Sequence, residues 1–369
     1  MHLLVYLLAI VLFLILCWIV INGLFYPKYQ RPLKNAPHPL VSILIPMRDE
    51  ERNVQALITN LQKLTYPSLE IILLDDHSAD QTHHIASKLI KGDERFHIIS
   101  GAPLKKGWAG KVHACYQLGK AASGDYMLFL DADARLNQNT IENMLPFFQK
   151  KKVGLVTGFP HFPVTTFLSK LLVPMQHFVI WLHLPIGLAN KSTFPAASAA
   201  HGAFMFFKRE AYEHVGGHHA VKSSIVEDVH LAREMKRSGF HVRLINATPF
   251  VTCYMYETNK EVWNGFLKNI YIGIGRSPWM VGVLTIFYTL FYILPLPLAT
   301  LAPFYGFWFA LPLVLVWSQK LYIDLKTKQK SYLFLFMPLS AIAFLFILHA
   351  SMWKSLRKQH YIWKGRAYK

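Results

Sequence analysis

The stretch MLFLDADARL, residues 127–136, decides the fold prediction, because an apolar run passes directly into two closely spaced carboxylates. The residues Met127–Leu130 predict a buried strand, and Asp131 and Asp133 follow it with only Ala132 between them. Two carboxylates that point the same way repel each other unless a positive charge lies between them. The stretch therefore predicts a strand that ends at a charged site.

Two other apolar runs have the same form, LVSILIP at 40–46 and EIILLDD at 70–76. Helix-like segments separate the runs, at 49–64, 79–91 and 111–122. Strands that alternate with helices indicate an α/β fold with a mostly parallel sheet flanked by helices. Ligands of such sheets bind outside the carboxyl ends of the strands. We therefore expect the polar residues that end the runs to converge on one crevice.

Acidic residues dominate these strand ends: Glu50 after the first run, Asp75 and Asp76 in the second, and the Asp131–Asp133 pair after the third. Such groups can accept hydrogen bonds from a ribose and can hold a hard divalent cation that bridges phosphate oxygens. An isolated Asp-x-Asp is commonly a solvated turn, but its position after a buried strand favours Mg²⁺ or Mn²⁺ here. The sequence has no P-loop and no G-x-G-x-x-G after the first strand, which argues against a P-loop NTPase and an NAD site.

A further acidic pair, Glu227 and Asp228, lies in IVEDVHLAREMKRSGF, residues 225–240. The apolar spacing predicts a helix that begins at this pair. Acidic residues at a helix N-terminus are often only caps that interact with the helix dipole. The alternative is catalytic: a carboxylate beside a reacting hydroxyl can act as a general base.

The composition predicts membrane association: 53% of the residues are hydrophobic, 16% are charged, and the net charge is +18. Basic clusters flank the apolar runs, so an anionic membrane surface is a better partner for this charge than nucleic acid. Residues 3–26 carry no charge and are long enough to span a bilayer. Lys28, Arg31 and Lys34 follow, so the positive-inside rule predicts an anchor at 1–27 and a cytoplasmic domain at 35–275. A cleaved signal peptide is disfavoured, since the run has no basic n-region and no A-x-A site.

The region 277–353 predicts two to three further hydrophobic segments in a multi-pass protein of the cell membrane. Between them we expect a basic loop, formed by Lys320, Lys326, Lys328 and Lys330. A basic tail follows at 354–369. Three full spans would place that tail outside, so either one run is re-entrant or interfacial or the positive-inside rule fails here; we expect a cytoplasmic tail. The uncharged runs hold no ionisable residue except histidine, which argues against a transporter.

The apolar segment 167–191 lies inside the water-facing domain and has two interpretations. It can be an interfacial helix that brings a lipid to the crevice, or an ordinary buried helix.

Taken in order, the motifs of residues 40–275 resemble those of membrane-bound family 2 glycosyltransferases, which have a GT-A-type, Rossmann-like fold. The matching motifs are SILIPMRDEE (42–51), LLDDHSADQT (73–82), DAD (131–133), HGAFMFFKREAYEHVGG (201–217) and VEDVHLA (226–232). The lipid-modifying branch, which includes carotenoid glycosyltransferases of the diaponeurosporenoate type, is similar also at GWAGKVHACYQ (107–117) and WKGRAY (363–368).

This resemblance implies a role for each matching residue. The nucleotide would be contacted by Pro46, Arg48, Glu50, Asp75 and Asp76. The diphosphate would lie near Lys111, the ribose and metal near Asp131, and the metal on Asp133. The general base would be Asp228, with Glu227 beside it.

The implied activity is inverting transfer of one sugar from a nucleotide-diphosphate sugar, with UDP-glucose as the first choice, to a membrane lipid such as a carotenoid or terpenoid acid. The Q-x-x-R-W motif of processive members is absent, and Lys268 or Arg276 in EVWNGFLKNIYIGIGR (261–276) can take the role of its arginine. Its absence argues against a polysaccharide polymerase. Alternative acceptors are polyprenyl phosphate, a glycerolipid or an envelope polysaccharide precursor. A catalytically silent scaffold of the same fold is the alternative from another class.

Overall fold

The computed structural model describes residues 2–29, 38–150, 152–357, 359, 361–363 and 366–368. Its strands are β1 (Val41–Met47), β2 (Leu69–Asp75), β3 (Phe96–Ser100), β4 (Tyr126–Leu130), β5 (Ala134–Leu136), β6 (Val153–Phe159), β7 (Phe204–Lys208), β8 (His241–Asn246), β9 (Val251–Cys253), β10 (Tyr361–Trp363) and β11 (Arg366–Tyr368).

Its α-helices are α1 (His2–Gly23), α2 (Glu51–Gln62), α3 (Thr82–Leu89), α4 (Gly110–Ala121), α5 (Thr140–Met144), α6 (Phe167–Leu172), α7 (Met175–His183), α8 (Ile186–Lys191), α9 (Arg209–His214), α10 (Glu227–Arg237), α11 (Asn259–Gly273), α12 (Pro278–Tyr288), α13 (Pro295–Ala299), α14 (Ala302–Tyr305), α15 (Leu311–Lys326) and α16 (Met337–Leu356). Short 3-10 helices lie at Leu145–Gln149, Gly217–Val221, Phe307–Phe309 and Ser331–Phe336, and a π-helical turn lies at Thr289–Ile293.

A seven-stranded sheet in the order β3-β2-β1-β4-β7-β6-β8 forms the centre of the region between the first and second candidate spans. All pairings are parallel except those of β7, which runs antiparallel to both β4 and β6. Every residue of β1 is buried except Pro46, which is partly buried. Such continuous burial is typical of a parallel strand whose two faces are both covered by helices. The predicted mostly parallel α/β sheet is confirmed.

The reversed direction of β7 places the beginning of that strand at the edge where its neighbours end. Leu130, the last residue of β4, pairs with Phe204, the first residue of β7. The residues before Phe204 therefore lie beside Asp131 and Asp133. Two residues that sequence analysis did not single out, His201 and Gly202, reach the crevice in this way.

Three helical stretches are long and apolar enough to cross a membrane by length and composition: His2–Gly23, Pro278–Ala299 and Ser331–Leu356. The first packs on the apolar segment 167–191. The indole N–H of Trp18 donates a hydrogen bond to the carbonyl of Leu182 (2.8 Å), and the side-chain amide of Asn22 donates one to Trp181 (2.8 Å).

The segment 167–191 forms α6, α7 and α8, and most of its large side chains point into the protein, whereas Phe167 and Leu188 are exposed. Phe178 and Leu172 are fully buried, and Trp181 is nearly so. Pro174 and Pro185 precede α7 and α8, where a missing backbone N–H costs no helical hydrogen bond. Of the two interpretations of this segment, the structure supports the buried helix.

The prediction that Lys320 lies in a basic loop is wrong. Lys320 lies inside α15, is 1% exposed, and forms an ion pair with Asp324 one turn later, which is fully buried. The i, i+4 spacing of the two residues places them on one helix face, where the opposite charges compensate each other. Lys326 is the last residue of α15, and Lys328 and Lys330 follow it.

Some sequence predictions fall on residues outside the described ones. Arg31 and Lys34 lie there, as do residues 364–365 of the WKGRAY motif and several positions of the basic tail.

Candidate active site

A cavity of about 450 Å³ opens at the carboxyl edge of β1, β2 and β4. It collects residues that are far apart in the chain, because each follows a strand or begins a helix at that edge. The predicted site residues on its wall are Pro46, Arg48, Glu50, Asp76, Lys111, Asp131, Asp133, Glu227 and Asp228.

Lys111, in the first turn of α4, joins two of the acidic groups. Its Nζ lies 2.7 Å from Oδ1 of Asp131 and 3.1 Å from Oε1 of Glu227. Burial alone would lower the pKa of Lys111, but attraction to the two carboxylates holds it well above its ordinary value. The lysine is therefore a fixed positive charge in the middle of the cavity.

The carboxylate of Asp228 is held in one orientation at the start of α10. Its Oδ2 accepts a hydrogen bond from the backbone N–H of Gly202 (2.9 Å), and its Oδ1 accepts one from Val229 (2.8 Å). Burial, together with the negative charge of Glu227, raises the pKa of Asp228 to about 7 and outweighs these hydrogen bonds. A carboxyl group with such a pKa can take up a proton near neutral pH, as a general base must.

Asp133 lies beside Asp131 in the same cavity and has a thiol neighbour. The Sγ of Cys253 donates a hydrogen bond to its Oδ1 (3.3 Å). Burial, with repulsion from Asp131 and Glu50, raises the pKa of Asp133 to about 6. Closely spaced carboxylates disfavour each other's charge. They are suited to binding a divalent cation, because such cations take carboxylate oxygens as ligands.

Among the described residues, no group of three or more His, Cys, Asp or Glu side chains could hold a metal ion. A cation that takes one or two carboxylates from the protein and its other ligands from bound phosphates, as Mg²⁺ commonly does, would need no more than the carboxylates of Asp131 and Asp133.

The turns after β1 and β2 brace each other at the other end of the cavity. Arg48 donates a hydrogen bond from Nη1 to the carbonyl of Asp76 (2.6 Å). Asp49 and His77 both have left-handed backbone conformations, with φ of 51° and 57°. Non-glycine residues adopt this conformation at a cost, and clusters of them are found at functional sites.

Polar side chains of the second turn hold the first one in place. Ser78 Oγ accepts a hydrogen bond from the N–H of Asp49 (3.0 Å), and Thr82 Oγ1 accepts one from Glu50 (2.7 Å). Asp80 accepts a third from Glu51 (3.0 Å). Three polar residues of the stretch LLDDHSADQT (73–82) therefore support the cavity wall: Ser78, Asp80 and Thr82.

One predicted nucleotide ligand, Asp75, is not among the described residues that line the cavity. Its Oδ1 accepts a hydrogen bond from the N–H of Ser78 (3.2 Å), and its Oδ2 lies 3.5 Å from Nδ1 of His83. As the last residue of β2, it points to the other side from its neighbour Asp76.

Lys268 and Arg276, the two candidates for the diphosphate-binding arginine, lie in different places. Lys268, on α11, lines the cavity. Burial lowers its pKa, while the charge of Glu227 opposes that shift. Arg276 follows α11 and lines a neighbouring cavity instead.

Sequence reasoning missed several wall residues, among them His201, Gly202, Gln176 and Tyr256. A Cβ on Gly202 would lie 3.0 Å from Nζ of Lys111, so the glycine leaves room for the lysine between its carboxylates. The signal for Gly202 was the stretch HGA, residues 201–203, directly before the apolar strand FMFFK. No sequence signal pointed to Gln176, which comes from α7.

Comparison with known proteins identifies the class. The model of the family described as glycosyl transferase family 2 matches residues 42–216. A 4,4'-diaponeurosporenoate glycosyltransferase from Staphylococcus haemolyticus (strain JCSC1435) is 26% identical over 67% of this chain and 68% of its own. The protein of the same name from Staphylococcus aureus (strain bovine RF122 / ET3-1) is 25% identical over 69% of this chain and 67% of its own.

Among solved structures, a mannosyltransferase from Pyrobaculum calidifontis in complex with GDP-Man and Mn²⁺ has the same fold over almost the whole length. It covers 97% of this chain and 99% of its own, with a TM-score of 0.58 and 16% sequence identity. The fold and the matches together define a glycosyltransferase of the GT-A type. Residues 42–216 match the model of glycosyl transferase family 2, and the chain is similar to the carotenoid-type glycosyltransferases named above.

Proposed function

We propose that this glycosyltransferase moves one sugar from a nucleotide-diphosphate sugar, with UDP-glucose as the first choice, to a membrane lipid that is a carotenoid or terpenoid acid. The observation that carries the proposal is the single cavity that unites Asp76, Asp131, Asp133 and Asp228 around Lys111. The names of the relatives support the acceptor class.

The donor end of the cavity is the edge of β1, β2 and β4. Arg48, Glu50 and Asp76 would hold the nucleoside there, and Asp131 and Asp133 would hold a divalent cation, Mg²⁺ or Mn²⁺. When bound, this cation offsets the negative charge that grows on the leaving diphosphate. Lys111 adds a fixed positive charge at the same place, before any substrate arrives.

At the acceptor end, Asp228 would orient the attacking group and receive its proton. A lipid hydroxyl would lose its proton to Asp228 as the oxygen attacks the anomeric carbon from the face opposite the departing nucleoside diphosphate. The acceptor oxygen–sugar bond forms while the sugar–phosphate bond breaks, so the configuration inverts. A lipid carboxylate reaches the site already ionised near neutral pH, and Asp228 then contributes mainly orientation.

The far wall of the cavity connects it to the membrane helices. Gly265 and Lys268 of α11 line that wall, and α16 packs against the same helix. The hydroxyl of Ser351 in α16 donates a hydrogen bond to the carbonyl of Leu267 (2.6 Å). A lipid held by the membrane helices would therefore reach Asp228 along α11. The corresponding domain arrangement is a cytoplasmic catalytic domain at 35–275 with membrane segments at 1–27 and 277–353.

The test is a transfer assay with the purified full chain in detergent, with UDP-glucose, Mn²⁺ or Mg²⁺, and a carotenoid acid or a polyprenyl phosphate offered in parallel. Mass spectrometry should detect a hexosyl ester of the carotenoid acid, lost in Asp133→Ala and reduced in Asp228→Asn. Product on polyprenyl phosphate alone would overturn the acceptor class and leave the donor site intact. Transfer from another nucleotide sugar alone would overturn only the choice of UDP-glucose.

A further inference from the structure

His201 lines the catalytic cavity but has no role in the mechanism proposed above. It comes directly before Gly202, whose backbone N–H donates a hydrogen bond to Oδ2 of Asp228 (2.9 Å). The imidazole therefore branches from the chain one residue away from the contact that orients the proposed general base.

The position of His201 is fixed by its neighbours in the sheet and by two aromatic rings. Its N–H donates a hydrogen bond to Oγ1 of Thr157 on β6 (3.2 Å), and its carbonyl accepts one from Phe204, the first residue of β7 (3.0 Å). The imidazole packs on Phe159 and Phe162, with ring centroids 5.2 and 5.3 Å away. A side chain held in this way is preorganised to recognise a ligand.

The hydrogen bonds of the imidazole define which nitrogen carries its proton. Burial lowers the pKa of His201 to about 4, against the opposing charge of Asp131, so the ring is neutral near pH 7. Nδ1 accepts a hydrogen bond from the N–H of Ala203 (3.2 Å), so the proton of the neutral ring lies on Nε2. Within the described part of the chain, Nε2 has no hydrogen-bond partner and is not sealed off by protein atoms. The Nε2–H group can therefore reach a ligand in the cavity.

The other N–H donors of residues 201–203 are already engaged. The backbone N–H groups of His201, Gly202 and Ala203 donate to Thr157, to Asp228 and to the His201 ring, respectively. The imidazole Nε2–H is therefore the one donor of this three-residue stretch that is left for a substrate.

An oxygen atom fits this N–H better than a metal ion does. The described residues include no group of three or more His, Cys, Asp or Glu that could hold a metal ion, so His201 does not complete a metal site with Asp131 and Asp133. A ring nitrogen that carries a proton also has no lone pair for a cation. A carboxylate that enters beside Asp228 is repelled by it, and a hydrogen bond from a fixed donor offsets part of that repulsion.

From this geometry we propose that His201 is an acceptor-specificity residue, whose Nε2–H donates a hydrogen bond to the carboxylate of the acceptor. This inference rests on the proposed function, because it requires an acid as the acceptor. One carboxylate oxygen attacks the anomeric carbon, and the other accepts the hydrogen bond from His201. An alcohol has only the attacking oxygen, so His201 favours an acid over the alcohol with the same apolar chain. The imidazole keeps its proton throughout the transfer.

The experiment measures binding to the full chain in detergent, with UDP and Mn²⁺ in place of the sugar donor so that no transfer occurs. All-trans-retinoic acid and all-trans-retinol are the probes, because they share one apolar chain and differ at the carboxyl group. His201→Met removes the N–H and should weaken the binding of retinoic acid about ten- to a hundredfold, as expected for a hydrogen bond to a charged group. The binding of retinol should change by less than about twofold, because it lacks the second oxygen.

Two variants and a second ligand make the result specific. His201→Gln keeps an N–H donor at a similar reach and should restore most of the preference for the acid. His84→Met, at an exposed position on α3 outside the described cavity wall, is the matched control and should bind both probes like the wild type. The affinity of His201→Met for UDP with Mn²⁺ should equal that of the wild type, which verifies that the variant is folded.

Equal weakening of acid and alcohol binding in His201→Met would overturn the proposal, because the ring would then only shape the cavity. Unchanged binding of the acid would also overturn it, as would loss of UDP affinity in both His201 variants, which would place the ring at the donor end. If the wild type binds neither probe, the terpenoid acceptor of the proposed function is wrong and this inference fails with it. If the wild type prefers the acid through His201 but transfers no sugar to it, the inference stands and only the proposed function fails.

Discussion

Lys111 Nζ lies 2.7 Å from Oδ1 of Asp131, so a helix residue supplies the positive charge beside the strand-end carboxylate. The contact joins the start of α4 to the end of β4 and leaves Asp131 with a second lone pair for another ligand. The cavity is in this way arranged for a charged substrate before it binds one.

The first prediction concerns this lysine. Lys111→Met should lower kcat by about 100- to 1,000-fold, because a preorganised positive charge at the leaving diphosphate is lost. It also leaves Asp131 and Glu227 without their common partner. Initial rates at saturating donor measure the effect. Lys88→Met, at an exposed position on α3, is the matched control, and equal rates for both variants would remove Lys111 from the catalytic machinery.

The second prediction is a pH dependence set by Asp228, whose pKa is raised to about 7. Only the ionised carboxylate accepts a proton. With a hydroxyl acceptor, kcat/KM should therefore fall as the pH drops below about 7, approaching tenfold per unit, and should be level above it. Asp228→Asn should lose this limb together with about 100- to 10,000-fold of the rate.

A carboxylic-acid acceptor gives a sharper version of the same experiment. Such an acceptor is already ionised at neutral pH, so its profile should be flatter and its loss in Asp228→Asn smaller. A steep limb that persists in Asp228→Asn with either acceptor would show that another group titrates.

The third prediction tests the metal site by stability. In the wild type, Mn²⁺ and UDP together should raise the melting temperature by several degrees, since ligand at a hundredfold excess over Kd stabilises the folded state by about 2.7 kcal/mol. Asp133→Asn removes one cavity carboxylate and should abolish most of that shift. Asp75→Asn removes the same charge from a residue outside the described cavity wall and should keep it. A full shift in Asp133→Asn would contradict the metal assignment.

The fourth prediction distinguishes Lys268 from Arg276. Lys268 lines the catalytic cavity, so Lys268→Met should raise the KM for the donor or lower kcat several-fold. Arg276 lines the neighbouring cavity, so Arg276→Met should leave the donor KM unchanged when both variants are assayed in detergent. The reverse pattern would assign the diphosphate contact to Arg276.

The fifth prediction concerns the ion pair of Lys320 and Asp324 in α15, both of which are buried. Lys320→Met leaves a buried carboxylate without its partner and should cost about 3–5 kcal/mol of the free energy of unfolding. The double variant Lys320→Met/Asp324→Leu removes both charges and should recover most of that loss. Thermal unfolding in detergent measures both, and equal destabilisation of the single and double variants would show that the pair itself is not the cause.

Local sequence patterns determined three strands of the seven-stranded sheet, because β1, β2 and β4 are short apolar runs that end in polar residues. The runs at 40–46 and 70–76 became β1 and β2 with ends shifted by one residue, and the Glu227–Asp228 pair begins a helix as the pattern predicted. The edge rule for parallel sheets then placed Asp76, Asp131 and Asp133 on one cavity.

Tertiary structure alone decided which partners these groups have. The pairing of Lys111 with Glu227, the hydrogen bond from Gly202 to Asp228 and the separation of Lys268 from Arg276 all depend on how distant segments pack. The same holds for Lys320, whose charge marked it as a loop residue until its packing placed it in a buried pair. Periodicity reports whether a residue faces the core, whereas the neighbour that compensates a charge is fixed by contacts that the linear sequence does not contain.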